Sequence, residues 1–250
     1  MPEELASFVG ISDMQNRLLE RLPRDVLERL WPDLQLVQMP IRQIVHKPGE
    51  EIRSLYFPLT CMISITVTIG GKTIEAGAVG SREVAGINAF MGGMETTETE
   101  YIVQVPGEAL KIAAAPLKAE FDSNAEVRSV MLKHTQALIA HISRNVGCNR
   151  VHDLDQRCAR WLLEVSDRVQ AVEFDLTQEF ISQMLGVTRS SVTRTTVVLK
   201  GKQIIDYSRS NIRILDLQAL EARSCECYFA LRDEYDRLLG SRNEDVRAAA

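Results

Sequence analysis

"LTQEFISQMLGVTRSSVTRTT", residues 176–196, decides how the whole chain is read. It divides into two short helical segments about a single glycine. Thr177 is placed to cap the first segment, because a threonine hydroxyl accepts an orphan amide of a first turn, and Glu179 complements the positive end of the helix dipole. Phe180, Ile181, Met184 and Leu185 recur on one helical face. Gly186 follows where a helix ends in a left-handed conformation. Val187 plugs the turn, Thr188 caps a second helix, and Arg189 to about Lys200 forms it. Small Ser182 lets the helices approach, and Val192 faces inward. Arg189, Ser190, Ser191, Thr193 and Arg194 are left at the exposed start of the second helix. They are donors of the kinds that reach base edges and phosphates. A helix pair used only for packing would carry Glu/Lys pairs there.

Working outward, IIDYSRSNIRILD (204–216) reads as two β arms around Ser208 to Asn211, with Arg209 and Arg213 at the tip. A helix–turn–helix followed by a basic hairpin is a winged helix. The second helix would enter the major groove of double-stranded DNA. The expected contacts are Thr177, Gln178, Thr188, Arg189, Ser190, Ser191, Thr193, Arg194, Arg209 and Arg213. Charge agrees once it is resolved along the chain. From Thr188 to Arg213 six basic residues meet one acid, Asp206, a net of +5; the whole chain carries −5, so −10 falls on the rest. A basic reading module on an acidic sensor gives that asymmetry.

The 250 residues suffice for two modest domains. No apolar run approaches the roughly 18 residues of a membrane span, and no membrane partner is expected. The segment MPEELASFVGISDMQNRL is acidic where a secretory signal would be basic. Five scattered cysteines are read as reduced thiols in the cytoplasm. Residues 12–31 read as one helix, with Leu18, Leu19, Leu22, Val26, Leu27 and Leu30 on its inner side. From about Leu34 to Ala115 short β-rich runs alternate with turns. The clearest hairpin is ISITVTIGGKTIEAGAV, turned at Gly70-Gly71. The period then switches to 3.6 from about Asn124 to Asn149. Val127, Met131, Leu138, Ile142 and Val146 lie along one side and are expected to meet a second copy of the helix, while another edge covers the barrel. A helix near Asp153 follows, with Cys158 as a core thiol. The fold class is therefore α+β: an antiparallel β-roll over 1–122, a dimerisation helix over 123–150, a winged helix–turn–helix over 151–222 and a helical tail over 223–250, frayed at SRNEDVRAAA.

Over nearly its whole length the chain resembles the bacterial Crp/Fnr transcription regulators. HKPGEEIRSLYFPLTCMISI carries the resemblance in the roll and TQEFISQMLGVTRSSVTR carries it in the helix–turn–helix; CECY (225–228) is met in a subgroup with the same LTQEF pattern. The resemblance implies a cyclic-nucleotide-binding-type roll, a homodimer on a pseudo-palindromic operator, and contact with RNA polymerase. Ser190 stands where the best-known recognition helix has a glutamate, so the half-site should differ. In the corresponding sensor pocket, Gly86-Ile87 replaces Gly-Glu, and METTETE supplies Glu95, Glu98 and Glu100 where an arginine would bind phosphate. Cyclic AMP is therefore not expected, the effector stays unknown, and Arg82 is read as a surface residue. An iron–sulfur cluster would need N-terminal cysteines, and the first cysteine is Cys61. His134, His141, Cys148, His152 and Cys158 match no zinc spacing. Cys225 and Cys227, taken as i and i+2 of a helix, would face different ways. No metal, cofactor or catalytic residue is expected, because no phosphate loop, ligand set or nucleophile motif is present. The alternative to a DNA reader is a small-molecule module that signals through protein contacts.

Overall fold

The computed structural model describes residues 16–93, 95 and 98–240. Part of the METTETE segment, the first residues of the expected 12–31 helix and the SRNEDVRAAA tail lie outside the described residues.

Alternating side chains build the N-terminal half. Strands β1 (Gln35–Met39), β3 (Ser54–Pro58) and β7 (Gly107–Ala113) form one sheet in the order β1-β7-β3. Strands β2 (Ile44–His46), β4 (Met62–Ile69), β5 (Lys72–Val79) and β6 (Thr99–Val105) form another in the order β2-β6-β4-β5. All pairings are antiparallel, with Phe57 opposite Leu110 and Ile63 opposite Val103. These residues and their neighbours make the first core. Gly70 and Gly71 turn the β4–β5 hairpin with φ of 58° and 74°, the left-handed pair that a two-residue turn requires.

The 12–31 segment is not one helix. A 3-10 turn over Leu19–Arg21 ends before Pro23, which has no amide to continue it and instead stands at the N-cap of α1 (Arg24–Leu30). The expected inner side chains are nonetheless buried, from Leu18 to Leu30.

After α2 (Ala114–Ser123) comes α3 (Ala125–Val151), whose first amides are capped by the Asn124 side chain. The assignment of its faces needs correction. Val127, Met131 and Leu138 are buried in the roll's own core, so these three are not available to a seam with another chain, while Ile142 packs beside them half-buried. Of the expected seam residues only Val146 is exposed, and it lies on a line with Leu132 and Ile139. The apolar stripe is wide because it serves the roll along one edge and leaves a seven-residue repeat outside.

The C-terminal half contains α4 (Leu154–Val169), β8 (Glu173–Asp175), α5 (Gln178–Leu185), α6 (Arg189–Gly201), β9 (Ile205–Ser208), β10 (Asn211–Ile214), α7 (Leu217–Arg223) and α8 (Cys227–Leu239). Strands β8, β10 and β9 form a small antiparallel sheet. The second core runs from Trp161 and Leu162 through Phe180 and Ile181 to Ile212. Helix α8 returns along α3 and reaches the roll, where Tyr235 donates to the Glu83 carboxylate and Arg82 pairs with Asp236 at 2.5 Å.

The two halves meet across a buried polar seam. Trp161 Nε1 donates to Glu75 at 3.0 Å, and Ser64 Oγ donates to the same carboxyl at 2.6 Å. Glu164 receives Arg160 at 2.6 Å and Arg168 at 3.2 Å, and Arg168 also lies 3.3 Å from Glu83. Two carboxylates and two guanidiniums thus neutralise one another where water is excluded, the condition under which buried charge is tolerated. His141 accepts from Arg168 at Nδ1 (3.1 Å) and is held neutral by burial and by that guanidinium. At Gly80 the approach is closest: a Cβ there would stand 2.3 Å from Arg168 Cβ.

Candidate nucleic-acid interface

Local chemistry sets the helix pair. Thr177 Oγ1 accepts from the Phe180 amide at 3.1 Å and opens α5. Gly186 ends it at φ 66°, and the Val187 amide bonds back to Ser182 at 2.9 Å. Arg157, reaching from α4, donates to the Leu185 carbonyl at 2.5 Å and satisfies an orphan acceptor of that end. Thr188 then caps α6, accepting from the Ser191 amide at 3.3 Å. Phe180, Ile181, Met184, Leu185 and Val192 are all buried between the helices, and small Ser182 is buried with them.

Arg189, Ser190 and Arg194 are exposed, and Ser191 and Thr193 are half-buried. Arg194 is steadied by a bond to Ser191 Oγ at 3.1 Å. Thr193 Oγ1 donates to the Gln178 side-chain oxygen at 2.8 Å, so these two residues join α5 to α6 as well as bordering the exposed face. Arg209 occupies the β9–β10 turn at φ 59°. Among the described residues neither Arg189, Arg194 nor Arg209 has an acidic partner, whereas Lys200 pairs with Asp206 at 2.7 Å. Arg213 is not at the tip as expected. It lies in β10 opposite Asp206 and pairs with Glu173 of β8 at 2.7 Å. Two arginines with unneutralised charge therefore stand on one helix, and a third occupies the hairpin turn.

The roll touches this unit. Ile74 of β5 faces Gly186, where a Cβ would come within 3.3 Å of its methyl, and a cleft lined by Lys72, Thr73, Glu179, Gln183 and Arg189 separates hairpin from helix pair. In the roll, Gly86 (φ 100°) lies against His46 and Ile52, and the 3-10 turn Ile87–Phe90 buries Ile87, Ala89 and Phe90. Glu95 and Glu98 are exposed, and the cation of Arg82 is engaged by Asp236, partly buried rather than on the surface. His46, packed edge-on against Tyr101 at 5.1 Å, is pushed down to about 4 by burial and is neutral.

Sequence reasoning missed one assembly altogether. Cys225 precedes α8 rather than belonging to it, so the helical argument that separated it from Cys227 does not apply. Both thiols are buried, and they meet Cys148 and His152 from the end of α3.

Residues 156–223 match the family model of the Crp-like helix-turn-helix domain. The chain carries a Crp-like helix-turn-helix domain, and its fold is that of Crp/Fnr regulators. Solved structures with that fold include a CRP-family transcriptional regulator from Thermus thermophilus (19% identity, 75% of this chain and 96% of that one, TM-score 0.62). FixK2 from Bradyrhizobium japonicum is similar at 15% identity over 77% of this chain and 98% of its own, with a TM-score of 0.63. The c-di-GMP-responsive global regulator CLP of Xanthomonas campestris is similar at 16% identity over 77% and 99%, with a TM-score of 0.61. No curated protein sequence matches the chain. The Crp-like domain as matched runs from α4 to the end of α7 and so contains the capped helix pair and the hairpin behind it. Among the described residues no helix is long and apolar enough to cross a membrane.

Proposed function

We infer that the chain is a homodimeric transcription regulator that reads double-stranded DNA with the N-terminal end of α6. One observation carries this reading: Arg189 and Arg194 stand exposed and without acidic partners on a rigidly capped helix end, with an exposed Arg209 in the hairpin that follows. Arg189 and Arg194 suit guanine edges or phosphates, Ser190, Ser191 and Thr193 suit shorter polar contacts, and Arg209 suits the flanking backbone. Thr177, Gln178 and Thr188 border the same face, and Arg213 contributes less because Glu173 already holds it. The dimer forms along the outer edge of α3 through Leu132, Ile139 and Val146. These recur every seven residues, as a helix–helix seam requires. The effector is something other than a cyclic nucleotide, because carboxylates stand where a phosphate needs a cation.

The test is selection of bound duplexes from a random library by the purified full chain, with no ligand added. The expected product is a palindrome whose half-sites are about one helical turn apart. Recovery of no common sequence would refute the reading.

A further inference from the structure

Three cysteines and a histidine remote in sequence meet at one point. Cys148 and His152 lie one turn apart at the end of α3; Cys225 occupies the bend after α7, and Cys227 opens α8. One ligand atom from each lies within 4.8 Å of all the others. Cys148 Sγ is 3.6 Å from Cys225 Sγ, and Cys227 Sγ is 3.8 Å from His152 Nδ1. A tetrahedron with metal–sulfur bonds of about 2.3 Å and a metal–nitrogen bond of about 2.0 Å has S···S edges of about 3.8 Å and S···N edges of about 3.6 Å. These two separations match those edges, and the remaining ligand atoms all lie within 4.8 Å of one another. The separations are far beyond the roughly 2.05 Å of a disulfide, and a multi-iron cluster would spread its ligands wider.

The surroundings point the same way. The three thiols form a buried group of their own, apart from both apolar cores, so they do not fill either one. His152 Nε2 lies 3.1 Å from the Glu226 carboxylate. A proton shared there leaves the Nδ1 lone pair aimed at the thiols, the carboxylate–histidine arrangement that orients a metal ligand. Three thiolates, a neutral imidazole and a divalent cation sum to −1. The positive charge of Arg144 acts on Cys227 and would offset it, while Arg160 is already held by Glu164.

We propose that Cys148, His152, Cys225 and Cys227 bind one divalent ion of the zinc class in a closed tetrahedral site. Four protein ligands leave no open position, so the site is structural. It joins the end of the long helix to the segment that follows the wing. The inference rests on these four residues alone and stands or falls independently of DNA reading.

The experiment uses the full chain, reduced and stripped of metal, titrated with Co2+ and then Zn2+. The expected result is one ion per chain by elemental analysis, with intense visible bands of tetrahedral thiolate-bound cobalt that Zn2+ abolishes. Cys225→Ser and His152→Ala should each weaken binding at least about tenfold, the low end for lost metal-site groups, and Cys158→Ala should not. The unsubstituted titration decides even if a variant misfolds. Less than about a tenth of an equivalent bound, a pale octahedral cobalt spectrum, or a Cys148–Cys225 disulfide in place of the metal would each overturn the proposal.

Discussion

Glu75→Gln isolates the polar seam between roll and reader. Glu75 is buried, takes bonds from Trp161 and Ser64, and is raised from 4.5 to about 7, chiefly by that burial. A carboxyl raised on folding is neutral in the native chain while the unfolded chain releases its proton. The native state is therefore not penalised below about pH 4.5, loses stability as pH rises, and reaches its full penalty above about 7. At about 1.4 kcal/mol per pH unit the whole effect is on the order of 3 kcal/mol, and roughly 2–3 kcal/mol of it develops between about pH 5 and about pH 8. Glutamine keeps an acceptor for Trp161 and, like the protonated carboxyl, can donate to the Ser64 hydroxyl, but it cannot ionise. Relative to wild type the variant should gain that amount between the two pH values, or roughly 5–10 °C in melting temperature for a chain of this size. His46 and His134, both pushed down to about 4 by burial, act at the acid end, where stability falls as pH drops below about 6.5. Both proteins keep them, so they cancel in the difference. Thermal unfolding of the two proteins at both pH values measures the effect. Parallel pH profiles would show that Glu75 is ionised in the native state and that the reasoning is wrong.

Arg194→Ala should weaken binding to the selected operator by about 1–3 kcal/mol with the dimer intact; unchanged affinity in a titration would remove α6 as the reading helix. Ile139→Asp puts like charges across the outer edge of α3 and should raise the dimer dissociation constant by at least about tenfold, or 1.4 kcal/mol. Sedimentation that still shows an unweakened dimer would place the seam elsewhere. Gly186→Ala, at φ 66° with Ile74 facing it, should cost about 1–2 kcal/mol in urea unfolding; a neutral result would mean the turn relaxes freely. Isothermal calorimetry with cyclic AMP should give no heat, and micromolar binding would contradict the reading of the Gly86 to Glu100 region.

What was legible in the sequence was local. Thr177, Gly186 and Thr188 act through bonds to residues within a turn, and Gly70-Gly71 acts through its own φ angles, so spacing alone predicts them. Pro23 was equally visible, and the 12–31 expectation erred by following the apolar period through a residue that cannot continue a helix. Long-range pairing was not legible. Arg213 looked like a wing-tip cation until β8 brought Glu173 to it, and the stripe on α3 gave no sign of which edge the roll would cover. The cluster at Cys148 escaped because its halves are separated by the entire winged helix and meet only when α8 folds back.

That folding back has a mechanical counterpart at Gly80. With no room for even a methyl group against Arg168, the rim of the roll rests on α4 as a beam rests on a fulcrum. A small twist of one half against the other cannot be absorbed there by side-chain give. The reader must either pivot about this point or lift off the seam as a whole, which favours two discrete postures over a graded series.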